Sequence, residues 1–257
     1  MSRGATGDMD LFIAALAREL EDGEQVHVGA NQVEVALAAQ LARRLWAPRL
    51  RMNVAGCWLL GLERDLSVVG CFSYEPAVVN GRTATFWQAR VFDDLRRPPI
   101  VFAGGLQVDS RGNANLIGIR DGTGWRLRGP GSAGLPTLTT FAPRFYVIVP
   151  RHEERFLVEE VSEVSVVGEP AARARRGLDP GALRAVITPL ARFEPIPEGL
   201  VLTELVAGVS VAEVAEHTGF EVRAAASVAT RSPLSAEERV ALAELRAAVS
   251  VNSGAER

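Results

Sequence analysis

The sequence contains no lysine: all 28 of its Lys-plus-Arg residues are arginine. That excludes a Schiff base on a lysine of this chain, and with it one common route to decarboxylation. Cysteine is scarce, with Cys57 and Cys71 alone. Two cysteines do not make the disulfide framework of a secreted module, so a reducing, cytoplasmic setting is expected. His27, His152 and Glu153 show no metal-ligand spacing such as HExxH, and no metal is expected. His152-Glu153-Glu154 is read as a solvated turn. No apolar run reaches the roughly eighteen residues of a membrane span. The opening MSRGATGDMD carries acid and lacks the apolar core of a signal peptide. A net charge of −3 is not the basic footprint of a nucleic-acid-binding surface.

What is there suits a globular α/β protein. The 257 residues are 47% hydrophobic and 23% charged, enough for one large core. A single domain over 1–257 is expected, with flexible ends at 1–8 and 252–257. Apolar spacing predicts a helix over Asp10–Glu21, capped by Asp8 or Asp10. A strand over Gln25–Val28, a turn at Val28–Asn31 and a helix over Val33–Leu45 follow. That helix carries Arg43 and Arg44 in its last turn and is stopped by Pro48. The sequence reads as the β-turn-α unit of a parallel sheet. Further strands are predicted at Leu50–Val54, Ile100–Ala103, Arg144–Val149, Glu159–Val167, Leu183–Leu190 and Leu200–Leu205. A short helix is predicted at Val91–Arg97, and Pro195 and Pro197 mark a loop. Capping boxes at Ser210–Glu213 and Ser235–Glu238 open two late helices. The fold class is therefore α/β: a mainly parallel open sheet with helices on both faces and some antiparallel additions.

Glycine concentrates between Ile100 and Gly134. An apolar strand runs into Gly104-Gly105, then a polar turn from Gln107 to Asn115. Gln107, Asp109, Asn113 and Asn115 either contact a ligand or hold the turn through their own side chains. Gly129-Pro130-Gly131-Ser132-Ala133-Gly134 matches GxGxxG, with Glu153 some twenty residues on. A dinucleotide fingerprint needs a helix after the glycines. Leu135–Pro143, with two prolines and three threonines, leaves little room for one, so that reading is set aside. Phe86 and Trp87 either line a pocket or cover the core.

Several segments together resemble one family. They are GGLQVDSRGNAN at 104–115, GPGSAG at 129–134, GANQVEVALAAQLARRLWAPRL at 29–50, RHEERF at 151–156 and Thr218-Gly219-Phe220. Over roughly residues 10–250 the chain resembles the small, β subunit of the glutaconate CoA-transferase family, the class I CoA-transferases. The resemblance implies an active site shared with an α-type partner in a hetero-oligomer, α2β2 in form. It implies no permanently bound cofactor, coenzyme A being part of the substrate. It places Gly131, Ser132 and Ala133 at an oxyanion hole around the thioester carbonyl. Gly29, Asn31, Gly104, Gly105, Gln107 and Asn115 fall to the substrate.

One departure is informative. The family carries its nucleophilic glutamate in a Glu-Ser-Gly or Glu-Asn-Gly triplet. Here the register reads Val54-Ala55-Gly56-Cys57, with Ala55 nearest the missing acid and Glu63 the next one along. Passing CoA through an enzyme acyl group needs that carboxylate. Cys57 is either a small buried apolar residue or a thiol tuned for acid–base or nucleophilic work. Cys71 is read as structural. The chain is similar to the glutamate-less branch that decarboxylates 3-methylglutaconyl-CoA to 3,3-dimethylacrylyl-CoA in alternative isovaleryl-CoA biosynthesis. The alternatives are a ring-opening CoA-thioester hydrolase, a plain CoA-transferase, and a non-enzymatic scaffold for the partner.

Overall fold

The computed structural model describes residues 7–29, 32–54, 57–59, 83–86, 98–132 and 134–253, with backbone alone at 54, 57–59, 83–86 and 248–253. The chain forms two compact units, one of 13–102 with 234–257, the other of 1–12 with 103–233. The expected helix Val91–Arg97, Phe86 and Trp87 as pocket side chains, and Cys71 lie outside the described residues or side chains.

Helix α1 spans Met9–Ala17, and Asp8 caps it, accepting from the N–H groups of Asp10 (2.9 Å) and Leu11 (3.3 Å). Asp8 is thus held, against the expectation of a flexible 1–8; residues 1–6 are outside the described residues. In the first unit β1 (Gln25–Val28) leads to α2 (Val33–Leu45), β2 (Arg51–Val54), β3 (Cys57–Leu59), β4 (Thr83–Phe86) and β5 (Ile100–Gly104). The strand order is β5-β1-β2-β3-β4. β1 is parallel to both β2 and β5, while β3 and β4 add as an antiparallel meander. Helix α2 buries Val35 through Arg43, and its short alanines permit close packing.

The described chain then continues through β6 (Gln107–Asp109), β7 (Ala114–Asn115), β8 (Gly118–Asp121), β9 (Gly124–Arg128) and α3 (Leu135–Phe141). Next come β10 (Phe145–Ile148), β11 (Leu157–Val158), α4 (Pro170–Arg175), β12 (Leu183–Ile187), β13 (Ala191–Ile196) and β14 (Gly199–Leu205). Helix α5 (Val211–Glu216), β15 (Arg223–Thr230) and α6 (Ala236–Ser253) complete it. The second unit's main sheet runs β15-β14-β13-β12-β10. β10 and β12 are parallel, β12-β13-β14 is an antiparallel meander, and β15 returns parallel to β14.

Helix α6 belongs to the first unit and packs on α2. Its capping box is complete: Ser235 Oγ accepts from the Glu238 N–H (3.0 Å), and Glu238 accepts from the Ser235 N–H (2.8 Å). Glu238 also takes a two-pronged bond from Arg18 at 2.9 and 2.7 Å. Arg44 of α2 pairs with Glu244. Asn252 and Ser253 close α6 rather than trailing from it, and residues 254–257 are outside the described residues.

Four segments differ from the sequence reading. Glu159–Val167 is not a strand. Its polar groups bond the 107–116 turn one at a time: Ser110 Oγ donates to the Glu159 carbonyl (3.0 Å), Ser165 Oγ accepts from the Leu116 N–H (2.8 Å), and the Ala114 N–H donates to the Val166 carbonyl (3.0 Å). Pro195 lies within β13, not in a loop. The β12 pairing ends at Phe193, so a missing N–H beyond it costs little. Leu135–Phe141 is a helix, with Pro136 in its first turn, where proline is tolerated. His152 is not solvated but fully buried.

Candidate functional site

In the first unit the expected ligand loop follows β1. Gly29 donates its N–H to Gln32 Oε1 at 2.8 Å, and Gln32 Nε2 donates to the Phe102 carbonyl at 2.7 Å. A Cβ on Gly29 would stand 2.9 Å from Gln32 Oε1, so glycine is what lets the amide close over this loop. Gln32 thereby ties the carboxyl end of β1 to β5, the end of a parallel sheet where ligands bind. Gln32 lies within the resembling segment at 29–50, but the sequence does not single it out from its neighbours. Asn31 itself lies outside the described residues. His27 on β1 and Asn53 on β2 are cross-strand partners, with Nδ1 and Oδ1 3.2 Å apart. Burial pushes the His27 pKa down, and the Asn53 bond opposes the shift. Cys57 opens β3, paired across to Val54 and to Phe86. Its side chain is outside the described residues' side chains.

In the second unit, Gly104 ends β5 and Gly105 opens a tight corner beneath Asn115. Asn115 is wholly buried and fully engaged. Its Nδ2 donates to Gln107 Oε1 (3.1 Å) and the Gly118 carbonyl (2.7 Å), and its Oδ1 accepts from the N–H groups of Ile117 (2.9 Å) and Gly118 (3.3 Å). Gln107 Oε1 also accepts from Ser162 Oγ at 3.2 Å. Asp109 accepts from the backbone of Arg111 and Asn113 and from Asn113 Nδ2, at 3.0, 2.9 and 3.1 Å. Burial raises the Asp109 pKa, and these bonds oppose the rise. Asn113 Oδ1 accepts from Gly168 and Glu169. These polar side chains build the turn: Gln107, Asp109, Asn113 and Asn115 are buried in it, and Gly104 and Gly105 are part-exposed.

The Gly129–Gly134 loop is stitched to the turn. The Gly129 N–H donates to the Ile117 carbonyl (2.8 Å), and the Gly131 N–H to the Leu116 carbonyl (3.2 Å). Gly131 has φ +90°, a left-handed value that favours glycine, and open space where a side chain would be. Its N–H is spent in this geometry and is not free for the oxyanion role expected of it; Ala133 lies outside the described residues. The loop does precede a helix and then a strand, as a dinucleotide site would. The strand before it, however, belongs to a two-stranded antiparallel hairpin, β8-β9, not to a βαβ unit. The missing βαβ unit, rather than missing room for a helix, is what excludes a nicotinamide site.

Two further residues are buried: Arg173, which no motif signals, and His152, which lies within the RHEERF segment. Arg173 donates to the carbonyls of Asp179 (2.6 Å), Val167 (3.0 Å) and Thr139 (3.2 Å), and its guanidinium lies 5.0 Å from the Phe145 ring centre. It anchors α3, the helix that receives the glycine loop. His152 lies within hydrogen-bond reach of Thr188 Oγ1 (2.8 Å) and Thr218 Oγ1 (3.0 Å) and is stacked near Phe193. Burial lowers its pKa to about 4. Among the described residues no group of His, Cys, Asp and Glu is arranged to hold a metal ion, and no helix is long and apolar enough to cross a membrane.

Comparison with known proteins agrees with this architecture, although no family model matches the sequence. The β-type subunit of glutaconate CoA-transferase from Acidaminococcus fermentans is 24% identical over 235 residues, 87% of this chain and 86% of that one. The β-type subunit of 3-oxoadipate CoA-transferase from Pseudomonas knackmussii is 29% identical over 265 aligned positions, 99% of this chain and 98% of that one. The crystal structure of the decarboxylase AibA/AibB superposes with a TM-score of 0.77 at 26% identity, covering 94% of this chain and 98% of that one. Over nearly its whole length the chain is similar to β subunits of the glutaconate CoA-transferase type. Variants of AibA/AibB with one cysteine replaced by alanine, serine, valine or asparagine match it as well, at TM-scores of 0.75, 0.75, 0.76 and 0.76. The fold is that of the class I CoA-transferases, an α/β architecture with parallel strands at the heart of each unit's sheet and antiparallel additions.

Proposed function

We propose that this chain is the β subunit of a CoA-thioester decarboxylase built on a CoA-transferase scaffold, acting on a glutaconyl-type substrate, with 3-methylglutaconyl-CoA the leading candidate. The observation that carries the reading is the sequence Val54-Ala55-Gly56-Cys57 at the end of β2, where the family resemblance calls for a glutamate. The likeness to a decarboxylase at 26% identity supports it.

The chemistry needs no nucleophile. The bond between the γ-carbon and the terminal carboxylate breaks and CO2 leaves. The electron pair enters a dienolate conjugated to the thioester, with negative charge on the thioester oxygen. Backbone N–H groups of Ser132 and Ala133 stabilise that oxygen, joined by Gly131 when its bond to Leu116 yields. Gly29, Asn31, Gly104 and Gly105 offer backbone to the substrate, while Gln107, Asn115 and Gln32 act as positioning residues. Cys57 delivers a proton to carbon and recovers one from solvent, giving 3,3-dimethylacrylyl-CoA. CoA is consumed and released as part of the substrate and product, and an α-type partner subunit completes the site. The test is Cys57→Ala in the two-subunit complex. Loss of CO2 release by ~100-fold or more, with assembly intact, supports the role; full retention contradicts it.

A second reading has its own observation. The 29% identity to a 3-oxoadipate CoA-transferase subunit favours ordinary CoA transfer, with the carboxylate supplied by the partner subunit. An absolute requirement for an acceptor acid distinguishes it.

A further inference from the structure

The hairpin β8-β9 projects arginines whose partners differ. Arg120 is held by Glu163 at 2.5 Å. Arg126 and Arg128 are exposed and have no carboxylate partner among the described residues. Arg126 follows Trp125 in the chain and Arg128 lies over its ring, and the placement of Arg128 is built rather than incidental. Gly118 has φ +159°, and a Cβ there would stand 2.7 Å from Trp125 Cζ3 and 2.6 Å from the Leu127 carbonyl. The bare glycine lets the indole lie across the hairpin. The indole in turn carries the guanidinium of Arg128 at 4.5 Å and that of Arg120 at 4.2 Å from its ring centre. Ile119 pairs with Leu127 and Arg120 with Trp125, so Arg126 is the extra residue of a bulge beside the Trp125–Arg128 stack, and both arginines are exposed on this one short strand.

This hairpin is one body with the glycine loop, because Asn115 bonds Gly118 at its start and Ile117 and Leu116 accept from Gly129 and Gly131 at its end. Arg128 and Arg126 lie three and five residues before Gly131, at most ~11 and ~18 Å along extended chain. The pantetheine arm of CoA, about twelve bonds from sulfur to phosphate, spans roughly four residues of extended chain, ~14 Å.

We propose that Arg126 and Arg128 of the β8-β9 hairpin are the phosphate-binding arm of the site and grip the 3′-phospho-ADP end of the CoA thioester. Guanidinium groups suit phosphate because their paired N–H bonds match its oxygens, and Trp125 keeps one of them oriented. The inference rests on the CoA-thioester reading above. It goes further by assigning the anionic end of the substrate to two residues that no family motif marked.

The experiment is calorimetric binding of CoA, dephospho-CoA and pantetheine to the intact two-subunit complex, in wild type and in Arg126→Gln/Arg128→Gln. Wild type is expected to bind CoA at least ~tenfold more tightly than pantetheine, a preference that salt weakens. The double variant is expected to lose that preference while binding pantetheine as before and keeping its partner subunit. Unchanged CoA affinity in the variant overturns the assignment. So does loss of the partner subunit, which makes the hairpin a subunit contact. Wild-type complex that binds no CoA overturns the CoA reading itself and takes the assignment with it. Because the readout is binding, it is independent of whether CO2 is released.

Discussion

Gly105 and Asn115 stand backbone to backbone: a Cβ on Gly105 would lie 3.0 Å from the Asn115 carbonyl oxygen, and 3.1 Å from that of Gln107. Both neighbours are backbone in a corner locked by the Asn115 side chain, so neither can retreat. Gly105→Ala is expected to lower unfolding stability by ~1–3 kcal/mol in urea denaturation. Gly181→Ala is the control. It is exposed, its nearest non-neighbour atom is 3.5 Å away, and it should fall within ~0.5 kcal/mol of wild type.

His152 makes the fold acid-sensitive. Its folded-state pKa of about 4 lies below the ordinary value of 6.5, because burial disfavours the imidazolium. Above pH 6.5 neither state is protonated and the group contributes no pH dependence. Between 6.5 and 4 the unfolded chain takes up the proton and the folded chain does not, so stability falls as pH falls, by up to about 3 kcal/mol. His152→Gln should flatten the stability slope over that window. An unchanged slope would refute the assignment.

Arg173 ties α3 to the segments on either side of α4 through three carbonyls, and burial holds its pKa below the usual arginine value while nearby Asp179 opposes the shift. Arg173→Lys keeps the charge but cannot span three divergent acceptors. The expected cost is ~2–4 kcal/mol. Because α3 receives the Gly129–Gly134 loop, turnover should fall more than affinity for substrate. A variant with wild-type stability would show that the guanidinium's geometry is dispensable.

The parallel half of the fold was legible because β1 alternates, α2 is a run of helix-forming Ala and Leu stopped by Pro48, and both capping residues at Ser235 and Glu238 do what their spacing implies. β15 was not legible: RAAASVAT has no apolar alternation, since most of it is exposed and the pairing with β14 is made by backbone. The Glu159–Val167 segment misled for the opposite reason, its valines alternating with acids while its bonds go singly to a polar turn. In the site, glycines and amides were visible as a pattern. Whether Asn115 faced a ligand or its own turn depended on four hydrogen bonds closed between residues 107 and 118, which spacing does not encode. Gln32 and Arg173 were hidden because each bonds backbone groups, which carry no side-chain signal, including one carbonyl distant in sequence, of Phe102 and of Thr139.

Gln32 bridges Gly29 and Phe102 as acceptor to one and donor to the other. Gln32→Glu keeps the acceptor and removes the donor, leaving a carboxylate against the Phe102 carbonyl. The variant is expected to lose ~10-fold or more in kcat/KM at neutral pH and to recover in part in acid, where the protonated carboxyl again donates. Equal loss at every pH would point to a packing effect alone.

The central claim is tested by incubating the complex of this chain and its partner subunit with 3-methylglutaconyl-CoA and no acceptor acid, following CO2 and the mass of the CoA product. The account predicts CO2 release and a CoA thioester lighter by one CO2, with no free CoA. Substrate that stays intact until acetate is added, and then yields acetyl-CoA, would contradict it and return the chain to the transferases.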